Sequence, residues 1–197
     1  VEGVKNAARI LNTTVFGGKD VITFGEESFT VEDGSIADSS LFSILKYDII
    51  AGNQLSPFTN TKSIVLEKSL AQKLFGNDRA LGKVVKLSTR MGINEYEVSA
   101  VYDESTYPTH YSPGFIINMQ NENWKSLLEY FGNQWVGNNL AYTYIKLDDS
   151  KNKDYVMESI TDLFLQNAQE EMKAPGIKKE MSLQPVCELH TAAQSQF

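Results

Sequence analysis

The stretch SIVLEKSLAQKLFGNDRALGKVVKLS, residues 63–88, contains three local structure signals in a row. Residues 63–66 form a short apolar run, which predicts a buried strand. Residues 69–75 place apolar side chains at helical spacing and are followed by Gly76, so they predict a two-turn helix that ends at a glycine. Gly82 predicts a turn, and residues 84–87 predict a second strand. A strand, a short helix and another strand therefore follow one another.

Strand and helix signals continue on both sides of this stretch. Alternating or β-rich runs predict strands, and apolar residues at a spacing of three to four predict helices. The predicted strands are 21–24 and 28–31 (a hairpin), 47–50, 95–102, 115–118, 142–147 and 181–186, and the predicted helices are 41–45 (one turn), 123–131 and about 151–172. Residues 1–16 predict a short helix that runs into a strand. Because no regular repeat of strand and helix is present, the predicted fold class is α+β with mixed or antiparallel sheets.

The composition excludes several classes of function. Lys and Arg number 18 against 25 Asp and Glu, so the formal net charge is −7. The cations are mostly Lys scattered among carboxylates, which disfavours nucleic acid and anionic membrane surfaces as partners. No apolar run approaches the roughly 20 residues that a membrane-spanning helix needs. Because the chain opens without an initiator Met or a signal sequence, we expect it to be an excised part of a longer protein.

Residues that could carry chemistry are few. The chain has two histidines, His110 and His190, and one cysteine, Cys187, three residues before the latter. Cys-x-x-His supplies half of a zinc site, so no metal site is predicted. Gly17-Gly18-Lys19 lacks the glycine and hydroxyl residue of a phosphate-binding loop, and the adjacent carboxylate pairs do not face one another as an acid and a base do. We predict no catalytic residue and no cofactor.

Two other interpretations remain open. The aromatic residues between Trp124 and Tyr144 are either part of the core or a platform for a sugar or a peptide, which would make the chain a secreted or periplasmic ligand-binding module. A hydrolase with His110 in a cleft is the third class of function considered.

Several motifs together resemble one family. They are Leu70-Ala71, Leu74-Phe75-Gly76 and Leu81-Gly82-Lys83, supported by residues 41–52, residues 95–101, Pro108-Thr109-His110 and residues 183–190. Their order and spacing are similar to the MacB-like periplasmic core domain, which is the extracytoplasmic insertion of FtsX-like ABC transporter permeases. Ser99-Ala100 stands where a glycine is commoner in that family.

The resemblance implies a two-lobed fold. Residues 1–58 and 136–197 would form a membrane-proximal, porter-like lobe, and residues 59–135 an inserted, sabre-like lobe. It further implies a non-catalytic domain on the periplasmic side of the bacterial inner membrane, anchored by transmembrane helices outside this chain. Such a domain couples cytoplasmic ATP hydrolysis to substrate export or to a periplasmic partner.

The implied partners are the transmembrane helices of the same permease, a cytoplasmic ATP-binding subunit or domain acting indirectly, and a second permease copy in a dimeric transporter. A periplasmic adaptor or a lipoprotein is the implied outer partner. Residues that contact partners do not carry over from the family, because those surfaces vary within it. As exposed aromatic or loop residues of the second lobe, Tyr107, His110 and Tyr111 are the predicted partner contacts.

Overall fold

The computed structural model describes residues 1–77, 79–106, 110–132, 134–137, 139–173 and 178–192. Its ten strands are β1 (Val4–Asn12), β2 (Asp20–Phe24), β3 (Glu27–Val31), β4 (Ser35–Ala37), β5 (Asp48–Gly52), β6 (Ser63–Glu67), β7 (Val84–Thr89), β8 (Gly92–Asp103), β9 (Phe115–Asn118) and β10 (Tyr142–Leu147). Its helices are α1 (Leu41–Ile44), α2 (Lys68–Phe75), α3 (Glu122–Gly132), α4 (Lys153–Ala168) and α5 (Val186–Ala192), with 3₁₀ turns at Ser150–Asn152 and Glu171–Lys173.

All ten strands belong to one mixed sheet. The strand order is β10-β1-β4-β9-β6-β8-β7-β2-β3, and β5 pairs with β8 outside this path. The pairs β4–β9 and β6–β8 are parallel and the others are antiparallel. The long strand β8 pairs with β7 through residues 92–97 and with β5 through residues 100–103. The mixed sheet with its helices confirms the predicted α+β class.

The core lies on both faces of this sheet, and β6 shows how one strand serves both. All five β6 residues are buried. Ile64 and Leu66 pack into the cluster that contains α2 and Trp124, whereas Val65 packs into the cluster on the opposite face, beneath α1. Side chains alternate across a strand, so one continuous apolar run supplies both clusters. Both clusters draw residues from 1–58 and from 59–135, and the division of the chain into two lobes stays a prediction.

The prediction of a helix at the start of the chain is wrong. Residues 4–12 form strand β1, which pairs with β10 on one side and with β4 on the other. Apolar residues at 4, 7, 8 and 11 match helical spacing, but the burial alternates: Ala8 and Ile10 are buried, while Ala7 and Arg9 are exposed. Pairing along both edges satisfies the backbone of β1 and outweighs the local pattern.

The prediction of a last strand at residues 181–186 is also wrong. Residues 178–185 pair with no strand in the part of the chain that the structure describes, and helix α5 begins at Val186. Pro185 directly precedes this helix, where the missing N–H of proline costs nothing, and its carbonyl accepts the N–H of Glu188 at 3.0 Å. The strand predicted at the end of residues 1–16 is wrong too, because β1 ends at Asn12 and residues 13–16 form turns. The remaining predicted strands and helices are confirmed, with α4 shorter than expected.

Candidate coupling and partner surfaces

The motif residues around α2 fix this helix against the sheet. Leu70, Ala71, Leu74 and Phe75 form the buried face of α2. The Glu67 carboxylate accepts the backbone N–H groups of Ser69 and Leu70, at 2.6 and 3.3 Å, and so caps the first turn of the helix. At the other end Gly76 has φ +60°, and its N–H donates to the Gln72 carbonyl at 2.8 Å. These motif residues hold a helix on a sheet.

The second half of the motif attaches β7 to β8. The Gly82 N–H donates to the Val98 carbonyl at 2.9 Å, and the Val98 N–H donates to the Lys83 carbonyl at 2.9 Å. The Lys83 ammonium lies 5.7 Å from the centre of the Phe24 ring, within the range of a cation–π contact. The residues that carry the family resemblance therefore have structural roles.

The segment predicted to contact partners is tied into the fold. Tyr107, with Pro108 and Thr109, lies outside the described residues. His110 and Tyr111 are half-buried. The His110 Nε2 lies 2.7 Å from the Tyr144 hydroxyl on β10, and the Tyr111 hydroxyl lies 2.7 Å from Ser35 Oγ on β4. His110 and Tyr111 thus join two strands of the sheet, and their role as partner contacts stays a prediction.

Four tyrosines form the connected group around this segment, which we call the tyrosine network: Tyr47, Tyr102, Tyr111 and Tyr144. Tyr47 donates its hydroxyl to the Tyr111 carbonyl at 3.0 Å and packs edge-on against Tyr102, with ring centres 5.1 Å apart. Tyr102 donates to the Pro113 carbonyl. Burial raises the pKa of all four hydroxyls, that of Tyr144 to about 12. The four hydroxyls therefore stay protonated at physiological pH, and their hydrogen bonds connect the strands and loops that carry these tyrosines.

The aromatic residues between 124 and 144 do not share one surface. Trp124 is 1% exposed and Tyr144 is also buried, so these two belong to the core. Tyr130 and Tyr142 are 67% and 65% exposed. Phe131 stacks on Phe16, with ring centres 5.5 Å apart. The core interpretation holds for part of this group, and the exposed tyrosines lie on separate elements.

Two surface concavities are relevant to partners. The larger has a volume of about 480 Å³ and lies between α3, β10, α4 and residues 179–182. Arg9 lines it, and the Arg9 guanidinium is held by two hydrogen bonds, of 2.9 and 3.0 Å, to the Asp38 carboxylate. The smaller, which we call the α2 groove, has a volume of about 240 Å³ and lies between α2, β5 and residues 79–81.

Lys68 on the rim of the α2 groove is part of an ion pair. Its ammonium donates to the Asp103 carboxylate at 2.6 Å. Asp103 also accepts the backbone N–H of Ser105 at 2.9 Å and the Ser105 hydroxyl. The hydrogen bond from Lys68, followed by those from Ser105, lowers the pKa of Asp103 to about 2. Because this carboxylate stays ionised at neutral pH, Lys68 is fixed beside the groove.

Metal-binding and membrane-spanning features were sought among the described residues. They contain no group of three or more His, Cys, Asp or Glu residues that could hold a metal ion. Cys187 is a free, exposed thiol on α5, the helix that also contains His190. No described helix combines the length and the apolar character that crossing a bilayer requires.

Comparison with known proteins gives a consistent result. The model of the MacB-like periplasmic core domain matches residues 1–163. No curated protein matches the sequence.

Three solved structures have a similar fold. A domain of a protein described as a permease from Porphyromonas gingivalis is 16% identical, with 93% of this chain and 82% of that one covered and a TM-score of 0.65. The periplasmic region of MacB from Actinobacillus actinomycetemcomitans is 14% identical, with 100% of this chain and 79% of that one covered and a TM-score of 0.63. The extracellular domain of the ABC-type transporter YknZ from Gram-positive bacteria is 16% identical, with 86% of this chain and 79% of that one covered and a TM-score of 0.56. None of these comparisons supports the alternative interpretation as a ligand-binding module.

Proposed function

The chain belongs to the MacB-like periplasmic core domain family, and from this we propose that it relays the conformational cycle of a transporter to a substrate or partner outside the membrane. The family consists of non-catalytic periplasmic domains of ABC-type transporter permeases, so the chain is an extracytoplasmic part of such a permease. The match over residues 1–163 is the observation that carries this proposal. We further propose that the domain catalyses no reaction and that a separate cytoplasmic domain hydrolyses ATP.

The way in which β1 and α5 are attached supports a relay. Strand β1 is bonded to β10 through residues 4–10 and to β4 through residues 10–12, so a displacement along the whole strand acts on both neighbouring strands. Helix α5 packs through Leu189 on the core cluster that contains Tyr47, Tyr102 and Tyr144. We propose that transmembrane helices of the permease act on the domain through these two elements.

The proposed assembly follows from the same premise. Residues 1–58 and 136–197 form the membrane-proximal lobe in this proposal, and residues 59–135 form the outer lobe. A second permease copy completes the transporter, and a periplasmic adaptor or a lipoprotein is the outer partner. Within the outer lobe, His110 and Tyr111 are half-buried, so they stay candidate partner contacts only through the exposed parts of their side chains.

The experiment that tests the relay measures one distance in different nucleotide states. The full-length permease, with its ATPase and in lipid nanodiscs, receives spin labels at natural Cys187 on α5 and at Lys5→Cys on β1, both exposed positions. Electron–electron double resonance then compares the ATP-bound and ADP-bound states. We expect the distance distribution between the two labels to change, because β1 and α5 receive their displacement from different transmembrane helices.

The matched control places both labels on the sheet. A Cys187→Ser variant with Lys5→Cys on β1 and Lys86→Cys on β7 keeps the same label chemistry. A sheet that moves as one body gives the same distance in both nucleotide states. If the distance between residues 5 and 187 is also unchanged in a preparation that transports substrate, the relay proposal is wrong.

A further inference from the structure

The α2 groove is an apolar concavity with Arg79 at its rim. Its apolar lining comes from three separate segments: Ala51 on β5, Val101 on β8, and Ala71 on α2. Among the described residues, its charged lining consists of Arg79 and of Lys68, whose ammonium is paired with Asp103. The whole chain has a net charge of −7, so this combination differs from the average surface of the domain.

The strand beside the groove presents apolar side chains to solvent. Ile50 lines the groove and is 50% exposed, at an irregularity in the pairing of β5 with β8 between residues 49 and 51. Leu55 follows β5 by three residues and is 93% exposed. Burying apolar side chains of this size is favourable, so their exposure marks a surface that gains free energy when it is covered.

Leu55 is held in place by the loop that carries it. The Asn53 side-chain oxygen accepts the backbone N–H groups of Leu55 and Ser56 at 2.9 and 3.2 Å. Gln54 donates its side-chain amide to the Tyr47 carbonyl at 3.0 Å, and Phe58 is buried at the end of the loop. Because these contacts order the loop in advance, covering Leu55 costs little conformational entropy.

From these features we propose that the α2 groove binds a segment of a partner polypeptide, which inserts a large apolar side chain next to a carboxylate. The concave floor fits a side chain and not the flat surface of a bilayer. Arg79 at the rim offers a planar guanidinium that can bind a carboxylate through two hydrogen bonds, whereas the charge of Lys68 is balanced by Asp103. Half-exposed Ile50 continues the apolar lining along β5, and Leu55 is exposed three residues after this strand.

This inference rests on the proposed function in one respect, namely that a polypeptide outside the membrane is the outer partner. It adds where that partner binds and which chemistry is recognised.

A pair of synthetic peptides tests the recognition chemistry. The probes are fluorescein-labelled Glu-Glu-Val-Leu-Phe-Glu-Glu and its matched Lys-Lys-Val-Leu-Phe-Lys-Lys, and fluorescence anisotropy measures their binding to the full-length permease in nanodiscs. We expect the acidic peptide to bind about tenfold more tightly than the basic one, and added salt to reduce the difference. Arg79→Glu should reverse the preference, because it changes the sign of the charge at the rim. Equal binding of the two peptides overturns the proposal.

The apolar part of the proposal has a matched pair of variants. Ile50→Lys places a charge in the α2 groove, whereas Ile93→Lys makes the same change at a strand position that is 71% exposed and lines none of the concavities described above. We expect Ile50→Lys to weaken binding of the acidic peptide about tenfold and Ile93→Lys to leave it unchanged. Loss of binding in both variants, or in neither, overturns the proposal.

Photocrosslinking in cells identifies the natural occupant. A benzoylphenylalanine residue replaces Ile50, which lines the groove, in the full-length permease, with the same replacement at Ile93 as the control, and mass spectrometry sequences the attached segment. A segment of another protein with an apolar residue beside a carboxylate supports the proposal. A cross-link to a second copy of this chain or to lipid overturns it, as does a yield no higher than that at position 93.

The two proposals fail separately. If the acidic peptide binds more tightly but the distance between residues 5 and 187 is the same in both nucleotide states, the relay proposal is wrong and the groove proposal is supported. If the distance changes with the nucleotide but the two peptides bind equally, the groove proposal is wrong and the relay proposal is supported.

Discussion

The Thr13 hydroxyl provides a sharp test of how the hairpin β2–β3 is attached to the rest of the sheet. Thr13 and Asp20 are both buried. The Thr13 Oγ1 lies within hydrogen-bonding distance of the Asp20 carboxyl and 2.8 Å from the Gly34 carbonyl. Thr13 follows β1, Asp20 begins β2 and Gly34 precedes β4, so one hydroxyl joins three strands.

Thr13→Val removes this hydroxyl with little change in volume and leaves the buried Asp20 carboxyl without it, while the Gly34 carbonyl keeps the Thr13 backbone N–H at 2.9 Å. One such unsatisfied group costs about 1–3 kcal/mol in the free energy of unfolding. For a chain of this length that corresponds to a drop of roughly 2–12 °C in Tm. Urea titration followed by the fluorescence of buried Trp124, together with thermal circular dichroism, measures both quantities.

The control is Thr23→Val on strand β2. It is the same substitution, but the Thr23 hydroxyl has a single exposed partner, Ser28 Oγ at 2.8 Å. We expect this variant to stay within about 0.5 kcal/mol of the parent protein. If Thr13→Val costs no more than Thr23→Val, the buried Asp20 carboxyl does not depend on the Thr13 hydroxyl, and the reasoning is refuted.

Three further predictions concern single residues. Burial raises the pKa of Asp20, so the folded protein holds this proton more tightly than the unfolded chain, and the associated stability is lost as the pH rises through the raised pKa. Asp20→Asn should therefore reduce the fall in the free energy of unfolding with rising pH, measured by urea titrations from pH 4 to 8. Parallel pH profiles in the two proteins would contradict this. Gly52→Ala should destabilise more than Gly76→Ala in thermal denaturation, because both glycines have positive φ but only at Gly52 would the new Cβ lie 2.5 Å from the Ser99 carbonyl; equal Tm values would argue against it. Leu74→Ala, on the buried face of α2, should cost about 2–5 kcal/mol by urea titration, and a cost below 1 kcal/mol would show that α2 is loosely packed.

Local signals predicted much of the fold. The strand, helix and strand of residues 63–88 were correct because each depends on nearby residues: an apolar run, a helical repeat that ends at Gly76, and an alternating strand after Gly82. The errors lie at residues 1–16 and 181–186, and at β1 a distant part of the chain decides the outcome. β1 is a strand because β10, more than 100 residues away, pairs with it.

The candidate partner surfaces were harder to predict from the sequence than the strands and helices. His110 and Tyr111 stand in a polar, loop-like context, and nothing near them in the chain indicates that their partners are Tyr144 and Ser35 on strands of the sheet. The α2 groove is assembled from β5, α2, residues 79–81 and β8, so no single stretch encodes it. Pro57 marks the segment after β5 as a loop, but the exposure of Leu55 depends on how that loop folds.

The different attachments of β1 and α5 have a mechanical consequence. A force applied along β1 at Val1 acts on its hydrogen bonds to β10 and β4 together, so that they resist as one group. A force on α5 acts on a helix of seven residues that packs on the core through Leu189, and side-chain contacts of this kind break individually. Under the proposed relay, we expect tension between β1 and α5 to detach α5 before it separates the strands of the sheet.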